Sequence, residues 1–486
     1  MKSDNLAQTY PPSEGALFAE QVSPASFWLR MFVLTMPLMS FAVFYKIQLS
    51  FLAGFFGLAA FGLRYLGGKE RISPLLPWPL IAFFAVVVAS APMSLMIFSG
   101  DFMGETPLFK SFKQIFQLAF MIGLFVWIRS LVDSQYRLRQ VTKYLYISTI
   151  VVCLYGFYQF VGVLRGWPLS SGFENPAFPV SSDSAARGFS LASAGGGFYD
   201  IPRVYATASE PGFLANFLLL PLSIALASVI SKKGLRRGSI FLEYSVVGLA
   251  STVLMLTFSR AGYVAAVVSL LVILFSSRGW RERHRHMASG FAVVGIMIAV
   301  VFVAGNFLTS SSDTDKGLGS YVFEMFERAG DPLEDSTFGR INADAAAMGM
   351  FKDHPILGVG IGNFGFLYDH YAPTPETDIW PSAQSMYLGL LAESGVLGLL
   401  AFLSLLVWAV RKGREAIHRF GRDSYPGVVT IGLIASLIAI QFQFLFIYAL
   451  NFTQVWFNLA LLGAVWQMSG AARKLPVARA AAAGRE

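Results

Sequence analysis

The sequence predicts an all-α fold, namely a polytopic integral membrane protein of about 12 transmembrane helices with two long periplasmic loops. Of its 486 residues, 55% are hydrophobic and 14% are charged, whereas charged residues make up about 25% of an ordinary soluble domain. The apolar residues form long runs, and these runs are long enough to cross a hydrocarbon core of about 30 Å. Composition and run length together exclude an ordinary soluble domain.

The predicted spans are found by reading these apolar runs along the chain. They lie at residues 27–45, 48–64, 75–98, 112–132, 143–163, 212–230, 240–257, 261–277, 290–308, 384–410, 426–449 and 452–469. The polar stretch before the first run lacks a basic region and a small-residue cleavage site, so no removable signal peptide is predicted.

Lys and Arg residues set the predicted orientation. Most of the 37 fall between apolar runs on the side that holds both termini, which is the cytoplasmic side by the positive-inside rule. The predicted parts are a cytoplasmic tail (1–26), N-terminal transmembrane helices (27–163), a periplasmic loop (164–211), central transmembrane helices (212–308), a large periplasmic loop with amphipathic helices (309–383), C-terminal transmembrane helices (384–469) and a cytoplasmic tail (470–486).

The arginines on the opposite side are the strongest candidates for anion binding, because fixed guanidinium groups recognise phosphate. Arg260 closes a hairpin between two apolar runs, and the alternative role is a snorkelling helix-end arginine. Arg203 precedes the Glu210–Pro211 pair that opens the next run, where the alternative is a helix cap with an ion pair. Arg340 could also be a solvated helix residue.

Candidates for proton transfer are Glu210, His370 and Glu393, and the sequence leaves the choice among them open. The glycines at 358, 360 and 362 predict a tight bend, with Asn363 able to hydrogen-bond there. The single cysteine, Cys153, and the lack of metal-ligand spacing predict no metal site and no cofactor. The net charge of +8 lies in topology clusters and does not indicate nucleic acid.

Several motifs resemble the O-antigen polymerase and O-antigen ligase superfamily. They are TFSRAG (257–262), Arg340 followed by MFKDHPILGVGIGNF (350–364), SMYLGLLAESGVLGLLAF (385–402) and RVYATASEPGFLANF (203–217). The last motif is similar to exopolysaccharide polymerases in particular. The first five spans match only in hydropathy and number.

The resemblance implies a metal-independent glycosyltransferase at the periplasmic face of the bacterial inner membrane. Its implied substrate is an undecaprenyl-diphosphate-linked oligosaccharide, with membrane lipids, a chain-length regulator and a flippase as possible partners. Arg260 and Arg340 match family arginines that engage the diphosphate, and Arg203 is the expected third. The further residues expected to bind substrate are Asn363, Gln384 and Tyr387.

Polysaccharide polymerase is therefore the predicted function, with two alternatives. An O-antigen ligase would transfer the glycan to lipid A-core, but family ligases have a histidine where this chain has Ala383, Gln384 and Ser385. A 12-helix transporter would favour short loops and repeat symmetry, which the sequence lacks.

Overall fold

The computed structural model describes residues 24–39, 48–70, 76–97, 100, 104–164, 203–208, 210–235, 240–276, 335–374 and 381–483. The helices within these ranges are α1 (Pro24–Thr35), α2 (Leu49–Leu66), α3 (Trp78–Ser90), α4 (Met93–Ile97), α5 (Pro107–Leu131), α6 (Gln135–Leu164), α7 (Pro211–Ser231), α8 (Phe241–Leu256), α9 (Arg260–Ser276), α10 (Asp335–Asp353), α11 (Phe364–Tyr371), α12 (Met386–Phe420), α13 (Tyr425–Gln443) and α14 (Thr453–Ala483). In this part of the chain, seven helical segments are long and apolar enough to cross a membrane. The protein is thus a helical, multi-pass membrane protein.

Each predicted span except 290–308 overlaps a described helix. The span at 290–308 lies outside the described residues, as does much of the two long loops, so the count of twelve stays a prediction. Several spans differ from expectation: α6 begins at Gln135, α12 continues to Phe420 and α13 ends at Gln443. In addition, α1 ends at Thr35, and the third span is interrupted between α3 and α4. Pro37 and Pro92 follow these ends, and a proline has no N–H to continue the helical hydrogen bonds.

Helix α7 lies at the centre of the bundle. It is apolar around its whole circumference, and nearly all of its residues are buried, as expected for a helix surrounded by other helices. It packs against α8, α9 and α13. The N-terminus of α7 is therefore held in a fixed position at one end of the bundle.

Helix α12 is interrupted near its N-terminal end. Gly395 has φ 66° and ψ −169°, a conformation that is open to glycine and strained for other residues. Residues 354–363, here called the glycine turn, fill the gap: Val359 N–H donates to the Ala392 carbonyl at 2.8 Å, and Val396 N–H donates to the Pro355 carbonyl at 2.9 Å. Helix α10, which falls within the second predicted loop, is thereby connected to α12.

We predict that Gly395→Ala destabilises the protein by more than the roughly 1–3 kcal/mol of a strained backbone conformation. An added Cβ would lie 2.2 Å from the Ile356 carbonyl oxygen, so the glycine turn would have to move. The measurement is the thermal unfolding midpoint of purified protein in detergent. Gly248→Ala is the matched control, because a Cβ there meets nothing within 4 Å. Equal midpoints for the two variants would contradict the prediction.

Candidate functional site

The segment before α7, residues 203–208, is fastened to the hairpin between α8 and α9. Val204 N–H donates to the Leu256 carbonyl at 2.9 Å. The Arg203 guanidinium donates to the carbonyls of Thr257 at 3.2 Å and Phe258 at 3.4 Å. Arg203 therefore joins two parts of the chain that lie more than 50 positions apart.

The hairpin itself is a tight turn that ends in Arg260. Phe258 adopts φ 49°, and the Thr257 hydroxyl accepts a hydrogen bond from Ser259 N–H at 3.2 Å. The Ser259 hydroxyl accepts from Gly262 N–H at 3.3 Å, which is typical of a helix N-cap. Arg260 is the first residue of α9. Because the N-terminus of a helix carries partial positive charge, a cation is unfavourable there and an anion is favoured.

Gln159 of α6 holds the same segment from the other side. Its buried side-chain oxygen accepts hydrogen bonds from the N–H groups of Tyr205 at 3.1 Å and Ala206 at 2.9 Å, and Ala206 has φ 46°. The Thr207 hydroxyl donates to the Pro37 carbonyl at 2.7 Å. These contacts fix the backbone that carries Arg203.

The three arginines expected to bind diphosphate come together in the structure, and we call Arg203, Arg260 and Arg340 the arginine cluster. Burial lowers the pKa of Arg203, and the charges of Arg260 and Arg340 lower it further, whereas Glu210 raises it. Mutual repulsion among three cations is a cost that a bound polyanion would relieve.

Glu210 lies beside the arginine cluster at the N-cap of α7. Its side chain is exposed to solvent, but the surrounding protein raises its pKa by desolvation, while Arg203 and Arg340 act to lower it. A solvent-accessible carboxylate with a raised pKa beside Arg203 and Arg340 is a candidate for accepting a proton.

Asp344 was missed by the sequence reasoning. It follows Arg340 by one turn of α10, and its Oδ1 is buried without a hydrogen-bond partner. Burial raises the pKa of Asp344, and Arg340 acts to lower it. The spacing of four residues from Arg340 was the available signal, because i and i+4 side chains lie on one face of a helix.

Helix α10 is held by Asn342, another residue not singled out from the sequence. Its amide nitrogen donates to the Tyr368 hydroxyl at 2.9 Å and the Thr374 carbonyl at 2.6 Å, and its amide oxygen accepts from Thr374 N–H at 3.0 Å. Tyr368 belongs to α11. Asn342 thus fixes α10 against α11 and Thr374 through a face other than the one that carries Arg340.

Asn363 is the last residue of the glycine turn, and Glu393 lies beside that turn. Glu393 accepts hydrogen bonds from Phe364 N–H at 3.3 Å and from the Tyr448 hydroxyl at 2.8 Å, so both of its carboxylate oxygens have partners. The Asn363 amide donates to the Ser111 hydroxyl at 3.0 Å. Both side chains are buried.

The other predicted site residues have different surroundings. The Tyr387 hydroxyl donates to the Gln441 carbonyl of α13 at 2.9 Å. Gln384 is half-buried just before α12. His370 is exposed, and its ring lies 4.8 Å from the Tyr371 ring. The contacts described for Tyr387 and His370 are with parts of the protein other than the arginine cluster.

A buried amide network supports the first turns of α7. Gln443 donates to the Gly212 carbonyl at 2.9 Å and accepts from Asn216 at 3.0 Å. Gln454 donates to Asn216 at 3.1 Å. Because buried amides that are hydrogen-bonded to one another permit few other arrangements, this network fixes the helix end at which Glu210 lies.

Within the described ranges, no group of three or more His, Cys, Asp or Glu side chains is arranged to hold a metal ion. The groups that the structure places at the site are guanidinium groups, the Glu210 carboxylate and the N-termini of α7 and α9.

We predict that Gln159→Leu lowers both stability and activity. The substitution leaves two buried N–H groups without an acceptor, and an unsatisfied buried group costs about 1–3 kcal/mol. Loss of this support also frees the segment that carries Arg203. Unfolding midpoint and product formation should both fall, whereas Gln135→Leu, at the exposed start of the same helix, should change neither. Wild-type values for Gln159→Leu would contradict the positioning role.

Comparison with known proteins bears on this site. No curated protein matches the chain. Residues 245–403 match a family model described as O-antigen ligase, and this range contains Arg260 and Arg340 but neither Arg203 nor Glu210. The matched range contains the motifs at 257–262, 350–364 and 385–402 but not the one at 203–217, and it supports the resemblance of this part of the chain to the O-antigen polymerase and ligase superfamily.

Proposed function

We propose that the protein is a polysaccharide polymerase of the O-antigen or exopolysaccharide type. It would transfer a glycan from undecaprenyl diphosphate to a lipid-linked repeat unit. The observation that carries the proposal is the arginine cluster with Glu210 beside it, at the start of the central helix α7. A site with excess positive charge suits a substrate whose lipid end carries two phosphates.

The proposed reaction needs little more than charge and position. A hydroxyl oxygen of the acceptor sugar bonds to the anomeric carbon of the donor, and the bond from that carbon to the diphosphate oxygen breaks. The lipid diphosphate leaves with the electron pair, so negative charge develops where the arginines lie. Fixed cations aimed at developing charge are usually the largest catalytic contribution.

Glu210 is our choice for the group that takes the proton from the acceptor hydroxyl. It is solvent-accessible and lies within the electrostatic field of Arg203 and Arg340. Glu393 has partners on both oxygens, and we assign it to holding the glycine turn. His370 makes its described contact with Tyr371. Asp344 is then the residue that orients Arg340 from one turn away.

The proposed location is the bacterial inner membrane, with the arginine cluster facing the periplasm. The orientation rests on the positive-inside rule, because most Lys and Arg residues fall at the other ends of the predicted spans. A chain-length regulator and a flippase are partners that such a reaction would need to control product length and to supply substrate.

The second candidate is an O-antigen ligase, which the description of the matching family model favours. Both reactions use the same donor and release the same diphosphate, so the arginine cluster serves either. Gln384 lies in the region where family ligases have a histidine, and the lack of a histidine there favours the polymerase. The two candidates differ only in the acceptor.

The experiment that separates them is deletion of the gene in its host. Loss of a polymerase leaves single repeat units on the surface glycan, whereas loss of a ligase leaves a polymer attached to its carrier lipid. We expect single repeats, seen as a collapse of the glycan ladder on a gel. Accumulation of full-length carrier-linked polymer would contradict the polymerase.

We predict that Arg260→Ala and Arg340→Ala each slow polymer formation by roughly ten- to a few-hundredfold. Hydrogen bonds to charged groups contribute about 1.5–3 kcal/mol, and each 1.36 kcal/mol is a factor of about ten in rate. Arg→Lys should remain impaired at both positions, because lysine lacks the planar fork. The measurement is polymer yield in membranes, normalised to protein level.

Lys352→Ala is the control for the arginine variants, because Lys352 is an exposed cation on the same helix as Arg340. It should leave the rate within about twofold of wild type, the range of a screened surface charge. Near-wild-type polymer from both Arg→Lys variants would overturn the diphosphate role and return these arginines to a snorkelling or surface role.

A pH profile tests Glu210. The base must be ionised, so kcat/KM should fall as pH drops through the raised pKa of Glu210. Glu210→Gln should lose about 10²- to 10⁴-fold in rate and should lose this acidic limb. Removing a neighbouring cation by Arg340→Gln should move the limb to higher pH, since Arg340 lowers the pKa of Glu210.

Asp353→Asn is the control for this pH profile, because Asp353 is an exposed carboxylate of α10, and it should keep the wild-type profile. An unchanged acidic limb in Glu210→Gln would exclude it as the base.

A further inference from the structure

A second polar site lies at the opposite end of the bundle from the arginine cluster. It is a cavity of about 630 Å³ between α6 and the start of α8, and its polar lining includes Tyr136, Arg139, Gln140, Lys143 and Glu243. Ligand sites commonly have volumes of about 300–1,000 Å³. The proposed polymerase reaction uses none of these residues.

The position of this cavity follows from the path of the chain. Helix α7 starts beside the arginine cluster and runs for 21 residues, which is about 30 Å. The chain then turns, and α8 begins at Phe241 and returns towards Thr257. The cavity is at the Phe241 end, so the two sites are separated by about the thickness of a hydrocarbon core.

The polar residues of α6 form one stripe. Tyr136, Arg139, Gln140 and Lys143 are spaced by three, four and seven positions, so they lie on one face of the helix. Lys143 is exposed, whereas Arg139 and Gln140 are half-buried. This face presents two cations and two neutral hydrogen-bonding groups to the cavity.

Arg139 is held in place by its surroundings. Its guanidinium donates to the carbonyls of Leu235 and Gly234 and lies 3.8 Å from the centre of the Tyr425 ring. Among the described residues of the lining, the one acidic residue is Glu243, which is buried and accepts a hydrogen bond from Leu235 N–H at 2.5 Å. These described residues thus carry two cations against one carboxylate, and that carboxylate is hydrogen-bonded to the backbone.

Exposed aromatic side chains flank the cavity. Phe241 is 77% exposed, and Tyr244, one turn further along α8, is 52% exposed. Aromatic residues at the ends of membrane helices prefer the interface between acyl chains and headgroups. A ligand that has both a phosphate group and apolar chains would therefore contact the polar stripe of α6 with its phosphate and these aromatic rings with its chains.

We infer that this cavity binds the phosphate headgroup of an anionic phospholipid from the leaflet opposite the arginine cluster. Lys143 and the Arg139 guanidinium attract the phosphate, Gln140 and Tyr136 hydrogen-bond to the headgroup, and the acyl chains lie along Phe241 and Tyr244. Basic pockets between membrane helices on the cytoplasmic side are typical of such recognition. The inference does not depend on which glycan the protein transfers.

The test is lipid binding by the purified full-length protein. Native mass spectrometry and thermal unfolding are measured with phosphatidylglycerol, with phosphatidylcholine and with inorganic phosphate. We expect phosphatidylglycerol to remain bound and to raise the unfolding midpoint more than phosphatidylcholine does. Lys143→Gln should weaken phosphatidylglycerol binding about fivefold, which corresponds to about 1 kcal/mol per lysine near a membrane surface.

Lys69→Gln removes one exposed lysine from outside the cavity lining and should leave the affinity unchanged. Equal losses in Lys143→Gln and Lys69→Gln would overturn the site, as would equal stabilisation by phosphatidylcholine. Stabilisation by inorganic phosphate that matches phosphatidylglycerol would overturn the assignment to a lipid. Polymer yield, measured in parallel, tests the proposed polymerase independently, because a failure of lipid binding leaves the arginine results unaffected.

Discussion

Backbone that is not helical must find hydrogen-bond partners within the protein when it enters an apolar bundle, and this constraint underlies the structure. The segment 203–208 bonds to Gln159 and to the end of α8. The glycine turn bonds to Ser90, Ser111 and the interrupted part of α12. Each irregular segment is therefore held by hydrogen bonds to neighbouring helices, and each supports part of the candidate site.

The arginine cluster depends on these hydrogen-bonded segments, because they hold like charges close together. Cations on flexible loops would move apart to reduce their repulsion, and water would screen them. Here Arg203 is bonded to the α8–α9 hairpin and Arg260 begins α9. The free energy of holding these charges together is supplied by folding, so the diphosphate of the proposed reaction would meet them already in position. Preorganisation of this kind is the basis of electrostatic catalysis.

Much of the helical framework could be predicted from hydropathy. The predicted span at 212–230 corresponds to α7 at Pro211–Ser231, because apolar run length sets the helix. Interruptions within helices could not be predicted from hydropathy. The interruption of α12 at Gly395 lies within a continuous apolar run, and its cause is a contact with residues 355–359. Hydropathy carries no information on such long-range contacts.

The candidate site, like the fold, could be predicted from the sequence only in part. The arginines could be proposed because the topology rule makes an outward arginine conspicuous. Gln159 and Asp344 were not singled out, since an amide in an apolar run and an acid in a polar helix are ordinary in sequence. Their roles come from partners far along the chain or from burial, which only the folded arrangement reveals.

The interruption at Gly395 divides α12 into two segments, and both of them bond to the glycine turn. The first turns of the helix are joined to the glycine turn through Ala392, and α10 with Arg340 leads directly into that turn. The segment after Gly395 is joined to the same turn through Val396, and α12 as a whole packs against α3, α13 and α14. The glycine turn therefore holds α10 and both segments of α12 at one junction, so a displacement of α10 relative to the bundle would require hydrogen bonds on both sides of Gly395 to change.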